Sequence, residues 1–271
     1  MDDKVFKEVV IETTKEVSKD LYTDLAKPTM KNVGGFLGTL AGFFDKVVVY
    51  PLKKLNIEYE QKAIAFQREM EKKYNNIPLE NRCEPKINIV GPALEALKFN
   101  LLEDELREMF KNLLVNSLDD RKSNYCIPSY VKIMEQLSVI DAKVLRSLHL
   151  FGWETIHYLT FKISFECEKG NKQTFASQQY ITEDLKLPYS LQEISASLAN
   201  LDRLGLITIS SRYLIPKENF FHILNRSEVK EEIEKTKSIC GNSNNVEMEI
   251  NYSGIIEFSD FANGFKKICL E

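Results

Sequence analysis

The sequence lacks the short motifs that carry most catalytic chemistry. It contains no GxxxxGK[ST] phosphate loop, no HExxH zinc motif and no GxSxG nucleophile elbow, each of which positions reactive groups by a fixed spacing. Two of the three histidines, His149 and His157, lie eight residues apart around Trp153, which is not a helical metal-ligand spacing. We therefore predict no catalytic residue, no metal site and no cofactor. An enzyme whose residues only the fold brings together stays open as an alternative.

The chain also lacks paired cysteines and a strong excess of charge. Its five cysteines are scattered without a CxxC pair, and no signal peptide precedes them in MDDKVFKEVV, so we expect reduced thiols in the cytoplasm. Lys and Arg number 36 against 40 Asp and Glu, a formal charge of -4. Such a balance predicts no global attraction to nucleic acid or to anionic lipid.

A long hydrophobic run is missing as well. The segment GGFLGTLAGFF near the amino terminus, residues 34–44, carries no charge, and Asp45 and Lys46 end it. A bilayer core needs about 20 apolar residues, and a charge within the membrane costs several kcal/mol. This stretch is therefore not expected to be a permanent single-pass anchor.

The glycine pattern inside this stretch is its most specific feature. Gly34, Gly38 and Gly42 recur every four residues, which places them in one line on a helix and leaves a groove without side chains. The larger side chains cover the rest of the surface, among them Phe36, Leu40 and Phe43. Because glycine inside a helix costs up to about 1 kcal/mol relative to alanine, three of them require a compensating contact, such as close helix packing.

The sequence leaves two alternatives for what fills that groove. One is a helix of the same molecule, with the segment buried against the helix that contains Pro92. The other is a lipid surface or a second copy of the chain, with the segment lying in the interface or inserting after a trigger. We predict helix-packing or membrane contact for Gly34, Gly38, Gly42, Phe36, Leu40 and Phe43.

Hydrophobic periodicity predicts a mainly α protein with a smaller α+β part. Residues 1–127 are expected to form a helical module that includes the glycine-rich segment 32–50. Within it, residues 52–74 carry a thin apolar stripe of Tyr59, Ala63, Phe66, Met70 and Tyr74. A single long helix is predicted from Pro92 to Ser117, with an apolar face of Phe99, Leu102, Leu106, Met109 and Leu113 and a pair between Glu103 and Arg107.

The second part, residues 128–271, is predicted to be winged-helix-like. YLTFKISFECEKGNKQTF alternates as a β-hairpin, and residues 190–206 return to a helical spacing that ends at Gly205, before the strand-like ITISSRYLI. Residues 227–246 are polar and indicate a loose insertion, and Ser259 is a candidate N-cap of a closing helix. Arg203 and Arg212 are the only candidate nucleic-acid contacts, and since phosphate contacts need several cations, nucleic acid is not the expected partner.

Four segments of the sequence form a recognisable set: the EP…GPALEAL entry at residues 84–97, ELREMFKNLL at residues 105–114, QLSVIDAKVL at residues 136–145 and the tail IIEFSDFANGFKKIC. With these segments the chain resembles the abortive-infection alpha (Abi-alpha) family of bacterial proteins. The tail departs from the expected Thr-Pro-Phe-Gly turn, because residues 259–262 read Ser-Asp-Phe-Ala.

The resemblance implies a role in phage defence by abortive infection, in which phage is limited at the expense of the infected cell. It brings no catalytic motif with it. We therefore expect non-catalytic action through protein partners, self-association or a membrane surface, in a cytoplasmic protein for which membrane association on activation stays open. A winged-helix nucleic-acid-binding or regulatory protein is the alternative.

Overall fold

A computed structural model describes residues 42, 44–50, 57–150, 155–166, 172–176, 180–182, 185, 187–211, 226–239 and 244–271. The chain divides into two compact units. Unit 1 comprises Met1–Gln136 together with the last eight residues, Gly264–Glu271, and unit 2 comprises Leu137–Asn263. The domain boundary expected between residues 127 and 128 stays a prediction.

Unit 1 is helical throughout its described part. Its elements are a first π-helix Asp45–Val49, α1 Ile57–Asn75, a 3-10 turn Leu79–Asn81, α2 Ile87–Asn100, α3 Asp104–Asn116, α4 Asp120–Ser123, α5 Pro128–Met134 and a terminal π-helix Lys266–Leu270. The stripe predicted for the first long helix is confirmed for Ala63, Phe66, Met70 and Tyr74, all of which are buried in α1.

The single helix predicted from Pro92 is wrong, because two helices occupy this region. Helix α2 begins at Ile87, where Ile89 and Val90 donate to the Lys86 carbonyl, and Pro92 lies inside it. The break follows Asn100. Arg107 stabilises it by donating to the Leu101 carbonyl oxygen at 2.8 Å.

The side chains near this break explain why two further predictions for this region are wrong, namely the pair between Glu103 and Arg107 and the place of Phe99 on the apolar face. Glu103 is extended and precedes the first turn of α3, so Arg107 pairs with Asp104 rather than with Glu103. Phe99 is 54% exposed, because the chain changes direction before it can join the buried face of Leu106, Met109 and Leu113. The helical spacing of the apolar residues continues across the break by coincidence, and for this reason it predicted a single helix.

Unit 2 combines helices with an antiparallel sheet, and the mainly helical class with a smaller sheet is confirmed. Its described elements are α6 Val139–Leu150, β1 Thr155–Glu166, β2 Lys172–Ala176, β3 Ile181–Thr182, α7 Leu191–Arg203, β4 Ile207–Ser210, α8 Ser227–Ile239, β5 Asn244–Phe258 and α9 Asp260–Phe265, which ends in unit 1. The strand order is β2-β1-β5-β4, and β3 pairs with β1. The predicted hairpin is confirmed by the register from Lys162↔Ala176 to Glu166↔Lys172.

The loose insertion predicted for residues 227–246 is wrong, since α8 occupies most of it. Its sequence SEVKEEIEKTKSI is polar, but Glu and Lys are strong helix formers, and Glu231 precedes Lys235 by one turn in the favourable order. Val229 is fully buried. A narrow apolar contact is therefore enough for this polar segment to form a helix of the unit.

Local capping fixes the helix ends of unit 2. Ser190 and Glu193 form a reciprocal capping box at the start of α7. At its end, Gly205 has φ 72, and the amides of Gly205 and Leu206 bond to the carbonyls of Asp202 and Leu201, as in a Schellman ending. Ser259 is confirmed as an N-cap, because its Oγ accepts from the Ala262 amide at 3.0 Å.

Candidate functional site

The structure describes the carboxyl end of the glycine-rich segment. Gly42 is helical and exposed, and a Cβ built on it meets no atom within 4 Å among the described residues. Gly34, Phe36, Gly38, Leu40 and Phe43 lie outside the described residues, so the groove that they were predicted to form stays a prediction.

Two residues further on, the chain is anchored in the core of unit 1. Phe44 is fully buried, and its ring stacks on that of Phe66 of α1 with centroids 5.3 Å apart and planes inclined by 13°. Val47 and Val48 of the first π-helix are buried as well, and this π-helix packs against α1 and α2. The segment thus changes from open to fully buried between Gly42 and Phe44. We call Phe44, Val47 and Val48 the root of the segment.

A charged network joins α1, the helix that carries Phe66, to α3. Lys111 of α3 is 5% exposed, and its ammonium contacts Glu69 of α1 at 2.5 Å and also Glu108. Lys73 of α1 contacts Glu108 at 2.8 Å. A buried ammonium is costly unless it is paired, so these carboxylates are required neighbours of Lys111.

The network sets the protonation of its members. Burial alone would raise the pKa of Glu108, but hydrogen bonds from Lys111 and Lys73 outweigh it and leave the pKa below its ordinary value. Burial would lower the pKa of Lys111, whereas hydrogen bonds to Glu108 and Glu69 raise it above the ordinary value. Both groups are therefore charged at neutral pH, and neither is suited to proton transfer there.

Two asparagines of α3 hold the terminal π-helix. Asn112 donates its amide to the Cys269 carbonyl at 3.0 Å, and Asn116 donates to the Ile268 carbonyl at 2.8 Å. Their own Oδ1 atoms accept from Lys73 at 2.5 Å and from Lys122 at 3.2 Å. Since the last carbonyls of a helix lack intrahelical donors, these amides satisfy groups that would otherwise be buried without a partner.

Burial disfavours the thiolate form of each described cysteine. Burial raises the pKa of Cys126 to about 12 and that of Cys269 well above its ordinary value, and it also raises the pKa of Cys83. A thiol must lose its proton to act as a nucleophile or metal ligand. In the described part of the chain, no group of three or more His, Cys, Asp or Glu side chains could hold a metal ion.

Unit 2 contains a pocket of about 540 Å³ that sequence reasoning missed. Leu185, Leu187, Leu191 and Ile194 form apolar walls, and Tyr180, Tyr189 and Arg226 supply polar groups. Arg226 donates to the Thr182 carbonyl at 2.9 Å, and Tyr189 accepts from Lys143 at 2.9 Å. Arg226 and Lys143 lie far in sequence from the other residues at the pocket, so no local motif could have indicated it.

Arg203, the candidate nucleic-acid contact within the described residues, is hydrogen-bonded to its own helix. Arg203 is exposed, but its guanidinium donates to Asn200 Oδ1 at 2.8 and 3.0 Å. Glu193 and Asp202 are exposed on the same helix. Arg212 lies outside the described residues. None of the helices that the structure describes has the length and apolarity to cross a bilayer.

These observations define a mainly helical protein with a small antiparallel sheet. Residues 58–269 match the family model described as abortive infection alpha. This match covers most of the chain, and the chain therefore belongs to the abortive infection alpha family, as the resemblance predicted. Comparison with curated proteins and with solved structures returned no match.

Proposed function

We propose that this protein defends bacteria against phage by abortive infection, and that it acts without catalysis. The observation that carries the proposal is the family match over residues 58–269. The protonated thiols and the paired charges of unit 1 are consistent with contact rather than chemistry. The cytoplasm is the proposed location before infection.

We further propose that the glycine-rich helix delivers the defence, through a protein partner, a second copy of the chain or a membrane surface. The geometry at its carboxyl end supports this mechanism. The root fixes the segment to unit 1 through Phe44, while the space beside Gly42 is open to an approaching helix. Small residues at four-residue spacing allow such an approach in lipid and in protein.

Phage plating and cell fractionation test the two parts of this proposal separately. Cells that express the chain should plate phage less efficiently than cells with an empty vector, and infected cells should stop growing before phage is released. Fractionation before and after infection should then show the chain moving from the soluble to the membrane pool, or into a larger assembly. Unchanged plating would refute the defence role. Unchanged fractionation and assembly size would refute the contact mechanism alone.

The winged-helix-like architecture of residues 128–271 is part of the proposal. Its support is the succession of capped α7, the tight turn at Gly205 and the antiparallel pair β4 and β5. A nucleic-acid function finds less support, because α7 exposes two carboxylates beside Arg203 and phosphate contacts need several cations. A gel shift with mixed-sequence DNA at modest salt decides between the proposed defence function and a nucleic-acid function. Tight retention that Arg203→Gln weakens would favour the nucleic-acid alternative.

A further inference from the structure

The last eight residues, Gly264–Glu271, form a strap that completes unit 1. Phe265, Ile268, Cys269 and Leu270 are each at most 4% exposed, so the strap contributes a continuous apolar face. Phe265 packs edge-on against Tyr130 of α5 with centroids 5.4 Å apart. The strap therefore belongs to the core of a unit whose other described residues end at Gln136.

The strap is held by specific hydrogen bonds as well as by apolar packing. Asn112 and Asn116 lie one turn apart on α3, are 4% and 9% exposed, and donate to the consecutive carbonyls of Cys269 and Ile268. Each asparagine also accepts from a lysine ammonium. Because such bonds polarise one another, loss of the strap would weaken the lysine contacts too.

One of those lysines connects the strap to the root of the glycine-rich segment. Lys73 lies on α1, seven residues after Phe66, and therefore on the same helical face. Its ammonium reaches Asn112, while the Phe66 ring stacks on Phe44. A continuous series of contacts thus leads from the strap through α3 and α1 to the root, all within unit 1.

We propose that the strap is a latch: its docking on α3 holds α1 in place, and its displacement loosens the root of the glycine-rich segment. The latch itself is a property of unit 1, whereas its meaning for defence rests on the proposed function. A local opening of this kind needs only part of the total stability of the unit.

Hydrogen exchange followed by mass spectrometry tests the latch directly. The variant Asn116→Asp places an acceptor against the Ile268 carbonyl and keeps the contact to Lys122. The expected result is about a tenfold faster exchange in the strap and in residues 44–50, which corresponds to one lost buried hydrogen bond. The exposed Asn124→Asp carries the same chemical change away from the strap and should leave both regions as in the wild type.

Removal of residues 264–271 is the stronger variant and should accelerate exchange at residues 44–50 further. If this truncated chain fails to fold, Asn116→Asp alone decides the matter. Faster exchange in the strap with unchanged exchange at residues 44–50 would overturn the latch, and so would an unchanged strap in Asn116→Asp. If both regions loosen while phage plating and liposome binding stay as in the wild type, the latch stands and only its connection to defence fails, whereas plating equal to that of the empty vector in the wild type itself would refute the proposed function.

Discussion

The two units of the molecule are stabilised by different kinds of interaction. In unit 1 the decisive contacts join residues far apart in sequence, such as Lys111 with Glu69, 42 residues apart, and Asn112 with Cys269, 157 residues apart. In unit 2 the first turn of α7 rests on a side chain three residues away, as in Ser190 with Glu193. Its long-range pairing is carried by the backbone, in the ladder that joins β1 to β5 from Thr155↔Glu257 to Glu166↔Asn244, together with side-chain bonds such as Lys143 to Tyr189.

This difference means that the units should respond differently to mutation. A long-range polar contact ties several elements together, so its loss should spread through unit 1. A helix cap serves one helix end, so its loss in unit 2 should stay local. The following variants test that contrast.

The largest effect is expected for Phe265→Ala in the strap. Phe265 is fully buried and packs on Tyr130, and removal of a buried phenylalanine costs about 3–5 kcal/mol. Urea unfolding followed by circular dichroism measures this loss. Phe261→Ala is the matched control, because Phe261 is 39% exposed. Equal losses for the two variants would contradict the role of the strap.

Gly254→Ala should destabilise the sheet of unit 2 by about 3 kcal/mol, since overpacking forces the backbone to move. A Cβ at Gly254 would lie 2.0 Å from the backbone oxygen of Ser210 on β4. Gly91→Ala in α2 is the control, because no described atom lies within 4 Å of its Cβ position. Exchange of the β4 and β5 amides measures the effect, and a loss confined to unit 1 would contradict the contrast.

Glu108→Gln should weaken unit 1 by about 2 kcal/mol, because charged hydrogen bonds to Lys111 and Lys73 are lost. The pKa of Glu108 lies below its ordinary value in the fold, so its contribution is present above that ordinary value and disappears as the pH falls through the folded pKa. Unfolding between neutral pH and about pH 3 should therefore show a smaller acid dependence in Glu108→Gln. An unchanged acid dependence would contradict the network.

Ser190→Ala is expected to have the smallest effect, about 1 kcal/mol, since it removes an N-cap. The change should be confined to the first turn of α7, where exchange of the Glu193 amide reports it. Gln192→Ala is the control, because Gln192 is exposed in the same turn of the helix and lies outside the capping box. Faster exchange throughout unit 2 would show that this cap is more than local.

The same contrast explains which features the sequence predicted. The hairpin of β1 and β2, the end of α7 at Gly205 and the cap at Ser259 are encoded within a few residues, and they were predicted correctly. The break between α2 and α3 depends on Arg107 reaching back to Leu101, and periodicity does not show it. The docking of the strap depends on contacts across more than 150 residues.

The candidate site follows the same pattern. The spacing of Gly34, Gly38 and Gly42 could be read directly from the chain, whereas the burial of Phe44 against Phe66 required the fold. The pocket beside Arg226 had no local signal, because this arginine lies far in sequence from the rest of the lining.

The central claim, that a helix approaching the glycine-rich segment delivers the defence, is tested most directly at Gly42. The variant Gly42→Leu should fold normally, because no described atom lies within 4 Å of the added Cβ, yet its side chain would block close approach. Phage plating is the measurement, with Gly42→Ala as the control that keeps a small side chain. Gly42→Leu is expected to lose protection and Gly42→Ala to keep it. Full protection by a folded Gly42→Leu chain would refute the role proposed for the glycine-rich helix.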